Sequence, residues 1–398
     1  MLLKDCCSFQ EGYVNPDRTK SEYFTNGTIN WLKATDIKNN FIYGTEDKIN
    51  KVGLSSCGNQ TIFPCDSIVL SKSGTVGNIG ILKCNTYGNR ATINIIPNEE
   101  KVNPMFIYYL LSAKKEELKA RAVGSIQKNL YISCLEPVDI GDFDRNTQDK
   151  IAEILSGIDE QINRNNEVVK KLQVLAQTIY SRWFNQFEFP NEHGLPYQSN
   201  GGKMVWNDEL KREIPEGWSV KTLGDLLIKN TEKLQDYNNI PTIDLSVMQS
   251  DNIALGELNT SNNFSTNLFV MHKGDLMFGS IRPYLHKAGI APCDGAFAGT
   301  VHSYRPIDDI DYNICLSALT NNDIFSFAVK NAKGTKMPVI ASDDLLQYKI
   351  PYNESVSKQF TKILDVKNIV CNCIMQNNML IQLKNNLLPL LINGQLNI

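Results

Sequence analysis

The sequence predicts an α+β protein, in which two mixed α/β domains are separated by two long antiparallel coiled-coil helices in a pseudo-two-fold internal repeat. Two observations support this fold class. The length of 398 residues exceeds that of a single typical core and suggests two domains. A pattern of turn residues and apolar runs also occurs twice, and a long stretch with helical hydrophobic spacing follows each copy.

The repeat is clearest between residues 65–97 and residues 273–306. The pairs that match at one constant separation are Asp66 with Asp275, Gly80 with Gly289, and Cys84 with Cys293. Short runs such as SIVLS and DLMFG, bounded by Gly, Pro and Asn, predict strands in both copies. The repeating unit is therefore a mixed α/β domain followed by a helix.

The first long helix shows apolar residues at alternating steps of four and three, which is the spacing of a coiled-coil seam. Its seam is Ile151, Leu155, Ile158, Ile162, Asn165, Val169, Leu172, Ala176, Ile179 and Trp183. The second helix repeats this seam in its centre and C-terminal half. Asn165 and Gln376 occupy equivalent polar positions, so antiparallel helices would bring them together, where buried amides fix the helix register.

Composition excludes several classes of protein. No apolar run approaches the roughly 18 residues of a membrane span, and the first residues lack the apolar stretch of a signal peptide, so we expect a cytoplasmic protein without membrane contact. The ten cysteines lack paired CxxC spacing, which predicts no metal site. A net charge of -3 argues against a generally basic surface but not against a local one.

Four segments resemble the specificity subunits of Type I restriction-modification systems. They are IPEGWSVKTLGDL from Ile214, GDLMFGSIRPYLHK from Gly274, and the two helices that open at Gln148 and Gln359. The first half departs from this pattern because it begins LLKDCCSF without a PEGW-like segment. It also carries SKSGTVGN where the second half has GSIRPYLHK, so we expect the two domains to read different DNA sequences.

The resemblance implies target-recognition domain 1 at 1–143, spacer helix 1 at 144–187, a linker at 188–213, target-recognition domain 2 at 214–352 and spacer helix 2 at 353–394. It implies a non-catalytic subunit that recognises an asymmetric bipartite target in double-stranded DNA. Its expected partners are two copies of a DNA adenine methyltransferase subunit and, through them, restriction/translocase subunits. S-adenosylmethionine, ATP and magnesium are expected on those partners, with no cofactor in this chain.

The sequence lacks the motifs of the partner enzymes. It has no Asn/Asp-Pro-Pro-aromatic motif for a flipped base and no GxxxxGK[ST] loop for phosphates. One alternative is a stand-alone magnesium-dependent nuclease, in which Asp36, Glu46 and Lys48 would supply the carboxylates and lysine. A second alternative is a coiled-coil adaptor that binds proteins. It would show no affinity for DNA, whereas the affinity of a DNA-binding protein falls as the salt concentration rises.

DNA reading needs forked donors for base edges, together with Lys, Ser and Thr for phosphates. Two loops and their neighbours offer this mixture. The candidates in the second half are Ser280, Arg282, Tyr284, His286, Lys287 and Lys336. Those in the first half are Ser71, Lys72, Ser73, Thr75, Asn89, Arg90, Gln127 and Lys128.

Overall fold

The computed structural model describes residues 1–58, 61–124 and 128–396. The chain divides into two compact units by its internal contacts. Unit 1 contains residues 1–159 and 383–398, and unit 2 contains residues 160–382. Each unit therefore combines one predicted domain with parts of both predicted helices.

Unit 1 is a mixed α/β domain built on a five-stranded sheet, with strand order β1-β8-β5-β6-β3, and a three-stranded sheet, β4-β2-β7. Its strands are β1 Cys7–Glu11, β2 Ile29–Leu32, β3 Asn40–Ile42, β4 Asp47–Ile49, β5 Ile68–Ser71, β6 Ile79–Leu82, β7 Tyr87–Gly88 and β8 Thr92–Pro97. Its helices are α1 Leu3–Cys6, α2 Lys51–Ser56, α3 Pro104–Ala113, α4 Lys115–Arg121, α5 Ile132–Leu135 and the start of α6 Arg145–Tyr180.

The central strands of unit 1 are apolar on both faces because both faces are covered. Every residue of β5 and β6 is buried. Helix α3 supplies part of the covering, and Asn103 begins it by accepting hydrogen bonds from the backbone N–H groups of Met105 and Phe106, with Pro104 in the first turn. This arrangement explains why β5 and β6 read as continuous apolar runs rather than as alternating patterns.

Unit 2 contains two four-stranded sheets, β12-β19-β16-β17 and β14-β13-β18-β15, and two two-stranded sheets, β10-β9 and β11-β20. Its strands are β9 Met204–Asn207, β10 Arg212–Pro215, β11 Ser219–Thr222, β12 Leu227–Lys229, β13 Pro241–Ile243, β14 Asn259–Thr260, β15 Leu268–Met271, β16 Leu276–Gly279, β17 Ala288–Ile290, β18 Gly295–Ala298, β19 Val301–Pro306 and β20 Lys349–Tyr352. Its helices are α7 Tyr312–Thr320, α8 Asn322–Asn331, α9 Ser342–Leu345, α10 Glu354–Ile363 and most of α11 Val366–Ile392.

The two units repeat the same fold, but one predicted match is displaced by a residue. Strand β5 pairs Ile68 with Ile81, and β16 pairs Leu276 with Ile290, so the loop that follows the strand is one residue longer in unit 2. Asp66 therefore corresponds to Gly274, not to Asp275. Both residues have positive φ, at 62° and 92°. Glycine adopts this backbone conformation without steric cost because it has no Cβ.

The shift puts Ser67 of unit 1 in the place of Asp275 in unit 2. Ser67 Oγ donates to Asn94 Oδ1 at 2.7 Å. The buried Asp275 carboxylate instead accepts from Asn230 Nδ2 at 2.7 Å and from Arg305 Nε at 2.8 Å. Both units thus satisfy the same buried position with polar partners, and the second uses an ion pair to do so.

The predicted linker at 188–213 is a folded part of unit 2. It contains β9 and the start of β10, which pair antiparallel. Phe187 and Phe189 lie against Trp218, with ring centroids 5.4 and 5.1 Å apart. Glycine and asparagine in this stretch mark tight turns, and the aromatic residues between them anchor the segment to the core.

The first long helix is continuous, but the second is broken. Helix α6 ends in a π-helical turn, Ser181–Asn185. The predicted second helix divides into α10 and α11, because Leu364 is extended and Asp365 begins the next helix by accepting from the backbone N–H of Asn368 at 3.2 Å. The long helix predicted over 353–394 is therefore observed as two helices with a break at Leu364.

Within unit 2 the two long helices run antiparallel. Asn165 Nδ2 donates to Gln376 Oε1 at 3.0 Å and to Asn377 Oδ1 at 2.8 Å. Further along the first helix, Trp183 packs against Phe360, with ring centroids 6.1 Å apart. The predicted proximity of Asn165 and Gln376 is observed, and their role in setting the register stays a prediction.

Candidate nucleic-acid interface

The candidate reading loop of unit 2 connects β16 to β17 and holds an unusual backbone. A 3-10 turn, Pro283–Leu285, lies between Arg282 and His286, whose φ values are 53° and 50°. Left-handed backbone is unfavourable for residues with a side chain and persists only when surrounding contacts impose it. The loop is therefore a fixed feature of the fold.

A second loop lies beside the reading loop and extends the same surface. The backbone N–H of Arg282 donates to the carbonyl of Pro338 at 2.7 Å, and Ile281 forms a β-bridge with Val339. Lys333 and Val339 close this second loop as a short hairpin, and the exposed Lys336 lies within it. Arg282 and Lys336 thus belong to adjoining loops of one surface.

The predicted candidates of unit 2 divide into exposed side chains and side chains bonded within the fold. Arg282 and Lys336 are exposed, and Tyr284 is 51% exposed. Ser280 is buried and donates to the carbonyl of Thr300 at 2.8 Å, while Lys287 Nζ donates to the carbonyl of Leu245 at 2.6 Å. The structure therefore leaves Arg282, Tyr284 and Lys336 as the reading candidates and gives Ser280 and Lys287 structural contacts.

His286 is also held within the fold. Its Nδ1 lies 2.9 Å from Asp251 Oδ1, and because a carboxylate only accepts, this nitrogen carries the proton. The imidazole stacks on Phe325 with ring centroids 4.4 Å apart and an angle of 8° between the planes. These contacts orient the loop from behind its exposed residues.

Unit 1 places its equivalent loop between β5 and β6, beside a β-bridge that joins Val123 to Asn129. Leu130 N–H donates to the carbonyl of Lys72 at 2.9 Å. Exposed Lys128 directly precedes Asn129 of this bridge, and Gln127 lies outside the described residues. The same pair of loops therefore occurs at the same place in both units.

Most predicted side chains of the unit 1 loop have partners inside the domain. Ser71 Oγ is 3.1 Å from Thr75 Oγ1 and donates to the carbonyl of Ser73 at 3.1 Å. Lys72 Nζ pairs with Glu11 at 2.9 Å and lies over the Tyr131 ring. Lys72 is therefore a partly neutralised charge rather than a free phosphate ligand.

The next strand contributes one exposed candidate. Asn89 is buried, and its side-chain oxygen accepts from the backbone N–H of Ala91 at 3.1 Å, which makes it a turn residue. Arg90 is exposed next to it. The exposed cationic candidates of unit 1 are thus Arg90 and Lys128.

Sequence reasoning missed Lys115 and Lys119, which helix α4 brings to the unit 1 loop. Lys115 Nζ donates to Asn78 Oδ1 at 2.8 Å, and a Cβ added to Gly77 would lie 3.2 Å from the Lys119 side chain. Burial, followed by the neighbouring Lys119 charge, lowers the pKa of Lys115. No sequence signal joined these lysines to the loop, because only the packing of α4 brings them there.

The carboxylates of the nuclease alternative have local structural partners. Asp36 accepts from the backbone N–H groups of Lys33 at 2.8 Å and Glu46 at 3.2 Å. The Glu46 carboxylate pairs with Lys33 Nζ at 2.9 Å. Asp36 and Glu46 line an open cleft of about 570 Å³, but residues 1–58, 61–124 and 128–396 contain no group of three His, Cys, Asp or Glu side chains that could hold a metal. This arrangement does not favour the nuclease.

Among the helices within the described residues, none is both long enough and apolar enough to cross a membrane.

Comparisons with known proteins find similarity to Type I restriction-modification specificity proteins. Residues 3–174 match the family model described as Type I restriction modification DNA specificity domain. The MjaIX specificity subunit, from a Type I restriction enzyme of Methanocaldococcus jannaschii, is 33% identical over 229 residues, which cover 56% of this chain and 49% of that protein. The matched part thus spans about half the length of this curated relative.

A solved structure shows the same fold over almost the whole chain. The S subunit of a Type I restriction-modification system from M. genitalium has a TM-score of 0.59 at 15% identity, covering 98% of this chain and 95% of that chain. At this identity the likeness concerns the fold alone. Residues 3–174 and the 229 residues aligned with the curated relative are therefore similar to Type I restriction-modification specificity proteins.

Proposed function

We propose that this chain is the DNA-recognition subunit of a Type I restriction-modification complex and that it catalyses no step itself. In this proposal each unit reads one half of an asymmetric bipartite target in double-stranded DNA. The observation that carries the proposal is the pair of adjoining loops that recurs at the same place in both units with different exposed residues. Two loops at corresponding positions of the two units, with different exposed side chains, are what two different half-sites require.

The exposed side chains have the chemistry for such reading. Arg282 offers a forked donor that can bond a guanine edge in two places, and Tyr284 can make apolar contact with a base as well as a hydrogen bond. Lys336 on the adjoining loop suits a phosphate. In unit 1, Arg90 and Lys128 would take the corresponding roles.

We further propose that two copies of a DNA adenine methyltransferase subunit bind this chain and recruit restriction/translocase subunits. Helix α6 supports this proposal because its second half exposes Val168, Val174 and Leu175, which are 42%, 60% and 46% exposed. Exposed apolar side chains on a helix are suited to bury against a protein partner. S-adenosylmethionine, ATP and magnesium would be bound by the partners.

Single-molecule methylation mapping of the host genome, with and without the gene, tests the proposal directly. One bipartite adenine-methylated motif should disappear when the gene is deleted. A methylome that does not change while the partner methyltransferase is active would contradict the proposal.

Binding measurements on the purified complex separate the alternatives. DNA affinity should fall with the logarithm of salt concentration, with a slope of about -0.9 per neutralised phosphate. A protein adaptor would show no affinity for DNA. Cleavage of DNA by the purified chain with magnesium, lost on Glu46→Ala, would instead favour the nuclease.

A further inference from the structure

The side chain of Gln173 in helix α6 bonds the segment Asp251–Ile253. This segment lies against the reading loop of unit 2. Gln173 Nε2 donates to the carbonyl of Asp251 at 3.2 Å, and its Oε1 accepts from the backbone N–H of Ile253 at 3.1 Å. One amide therefore satisfies a donor and an acceptor on the same loop, which fixes the position of that loop along the helix.

Asp251 connects the loop held by Gln173 to His286 through two hydrogen bonds. The backbone N–H of Asp251 donates to the carbonyl of His286 at 3.0 Å, and the Asp251 carboxylate accepts from the imidazole at 2.9 Å. On its other side the imidazole stacks on Phe325, which is buried and stacks in turn on Phe278 of β16. The edge of the His286 ring is thus held by Asp251, and its face is held by the buried Phe325.

His286 ends the turn that begins at Arg282. The backbone N–H of His286 donates to the carbonyl of Pro283 at 3.0 Å, and that of Leu285 donates to the carbonyl of Arg282 at 2.9 Å. Arg282, Asp251 and His286 all have left-handed φ. Such backbone persists only where neighbouring contacts enforce it, so the direction of the Arg282 side chain depends on the contacts that hold His286.

We infer that Gln173, Asp251 and His286 are positioning residues for base discrimination by the second unit. The inference rests on the proposed function and deepens it, because the long helix then contributes to which bases are read as well as to the spacing of half-sites. A forked donor discriminates between bases only when it is held at the correct angle, whereas a phosphate contact tolerates movement.

The unit 1 loop has a different support. Ser71 bonds Thr75 within the loop, and Lys115 of α4 bonds Asn78. These partners all lie within the globular part of unit 1. The inference therefore assigns the dependence on the long helix to the second half-site alone, which gives every experiment an internal control.

The test uses the complete methyltransferase complex and DNA libraries in which each half-site is randomised in turn. Gln173→Ala should reduce discrimination among bases in the second half-site roughly tenfold, within the range that one forked contact supplies. Discrimination in the first half-site and the salt dependence of binding should not change. Gln177→Ala is the matched control because Gln177, about one turn further along the helix, bonds the carbonyl of Ser317 and the hydroxyl of Thr320 instead.

Two variants of Asp251 separate positioning from folding. Asp251→Gly removes the acceptor for His286 at an exposed site and accommodates the left-handed φ of 54°, so it should reproduce the effect of Gln173→Ala. Asp251→Asn keeps an acceptor oxygen and should restore most of the discrimination. Unchanged discrimination in Gln173→Ala and Asp251→Gly, or equal losses at both half-sites, would overturn the inference.

Failure of the inference is distinguishable from failure of the proposed function. If the parent complex reads two half-sites and Gln173→Ala reads them equally well, the positioning role is wrong and the function stands. If the parent complex selects no bipartite sequence, the proposed function is wrong.

Discussion

The amide of Asn165 should stabilise the antiparallel helix pair measurably, although it interrupts an apolar seam. Asn165 is 5% exposed and donates two hydrogen bonds, to Gln376 and to Asn377. Each such bond contributes about 1 kcal/mol, and the partners are accessible enough to regain water when the bonds are lost. Asn165→Ala should therefore lose about 2 kcal/mol of hydrogen bonding between the helices, and also the bond that Gln161 Nε2 donates to Asn165 Oδ1 at 3.0 Å, offset by about 0.5 kcal/mol from the better helix propensity of alanine.

Asn166→Ala is a matched control because it changes the same residue type in the same helix. Asn166 is exposed and accepts one bond from Asn377 Nδ2 at 2.9 Å. The gain in helix propensity is the same in both variants and cancels from the comparison. Since a surface change of this kind alters stability by about 0.5 kcal/mol at most, Asn165→Ala should be less stable than Asn166→Ala by about 1 kcal/mol or more.

Urea unfolding followed by helical circular dichroism measures this difference as a shift in the midpoint at constant slope. Asn165→Leu tests the register separately, because leucine fills the seam and should maintain stability while permitting slipped alignments. The spacer between half-sites should then be less sharply selected. Equal midpoints for Asn165→Ala and Asn166→Ala, or a sharply selected spacer in Asn165→Leu, would refute this reasoning.

Three further predictions concern reading, spacing and pH. Arg282→Ala should weaken binding by about 1 to 3 kcal/mol, mainly at the second half-site, and unchanged affinity and base preference in a binding titration would refute its role. Four residues inserted after Val169, about one turn or 6 Å of helix, should change the preferred spacer in methylation mapping and leave both half-sites unchanged. Burial lowers the pKa of His302, so the unfolded chain binds its proton more readily and stability should fall as pH drops below about 6.5. His302→Gln keeps a donor for the carbonyl of Ile340, 2.9 Å from His302 Nε2, and should flatten that pH dependence in thermal unfolding, whereas an unaltered profile would exclude this histidine as its source.

The sequence alone determined the features that follow from chain geometry. The duplication gave the two-unit plan, and the spacing of four and three residues gave the long helices and the equivalence of Asn165 with Gln376. These signals are local or repeated along the chain, because helix and strand periods are imposed by the backbone of the chain itself. The positions of both candidate reading loops were predicted for the same reason.

Only the tertiary structure decided which side chains of those loops remain exposed. Lys72 pairs with Glu11, and Ser280 bonds Thr300, through partners that no local pattern indicates. The break at Leu364 and the link from Gln173 to Asp251 likewise depend on packing between distant segments. Sequence periodicity fixes which face of an element is buried, whereas the partner of each polar group depends on long-range contacts, and those contacts exist only once the chain has folded.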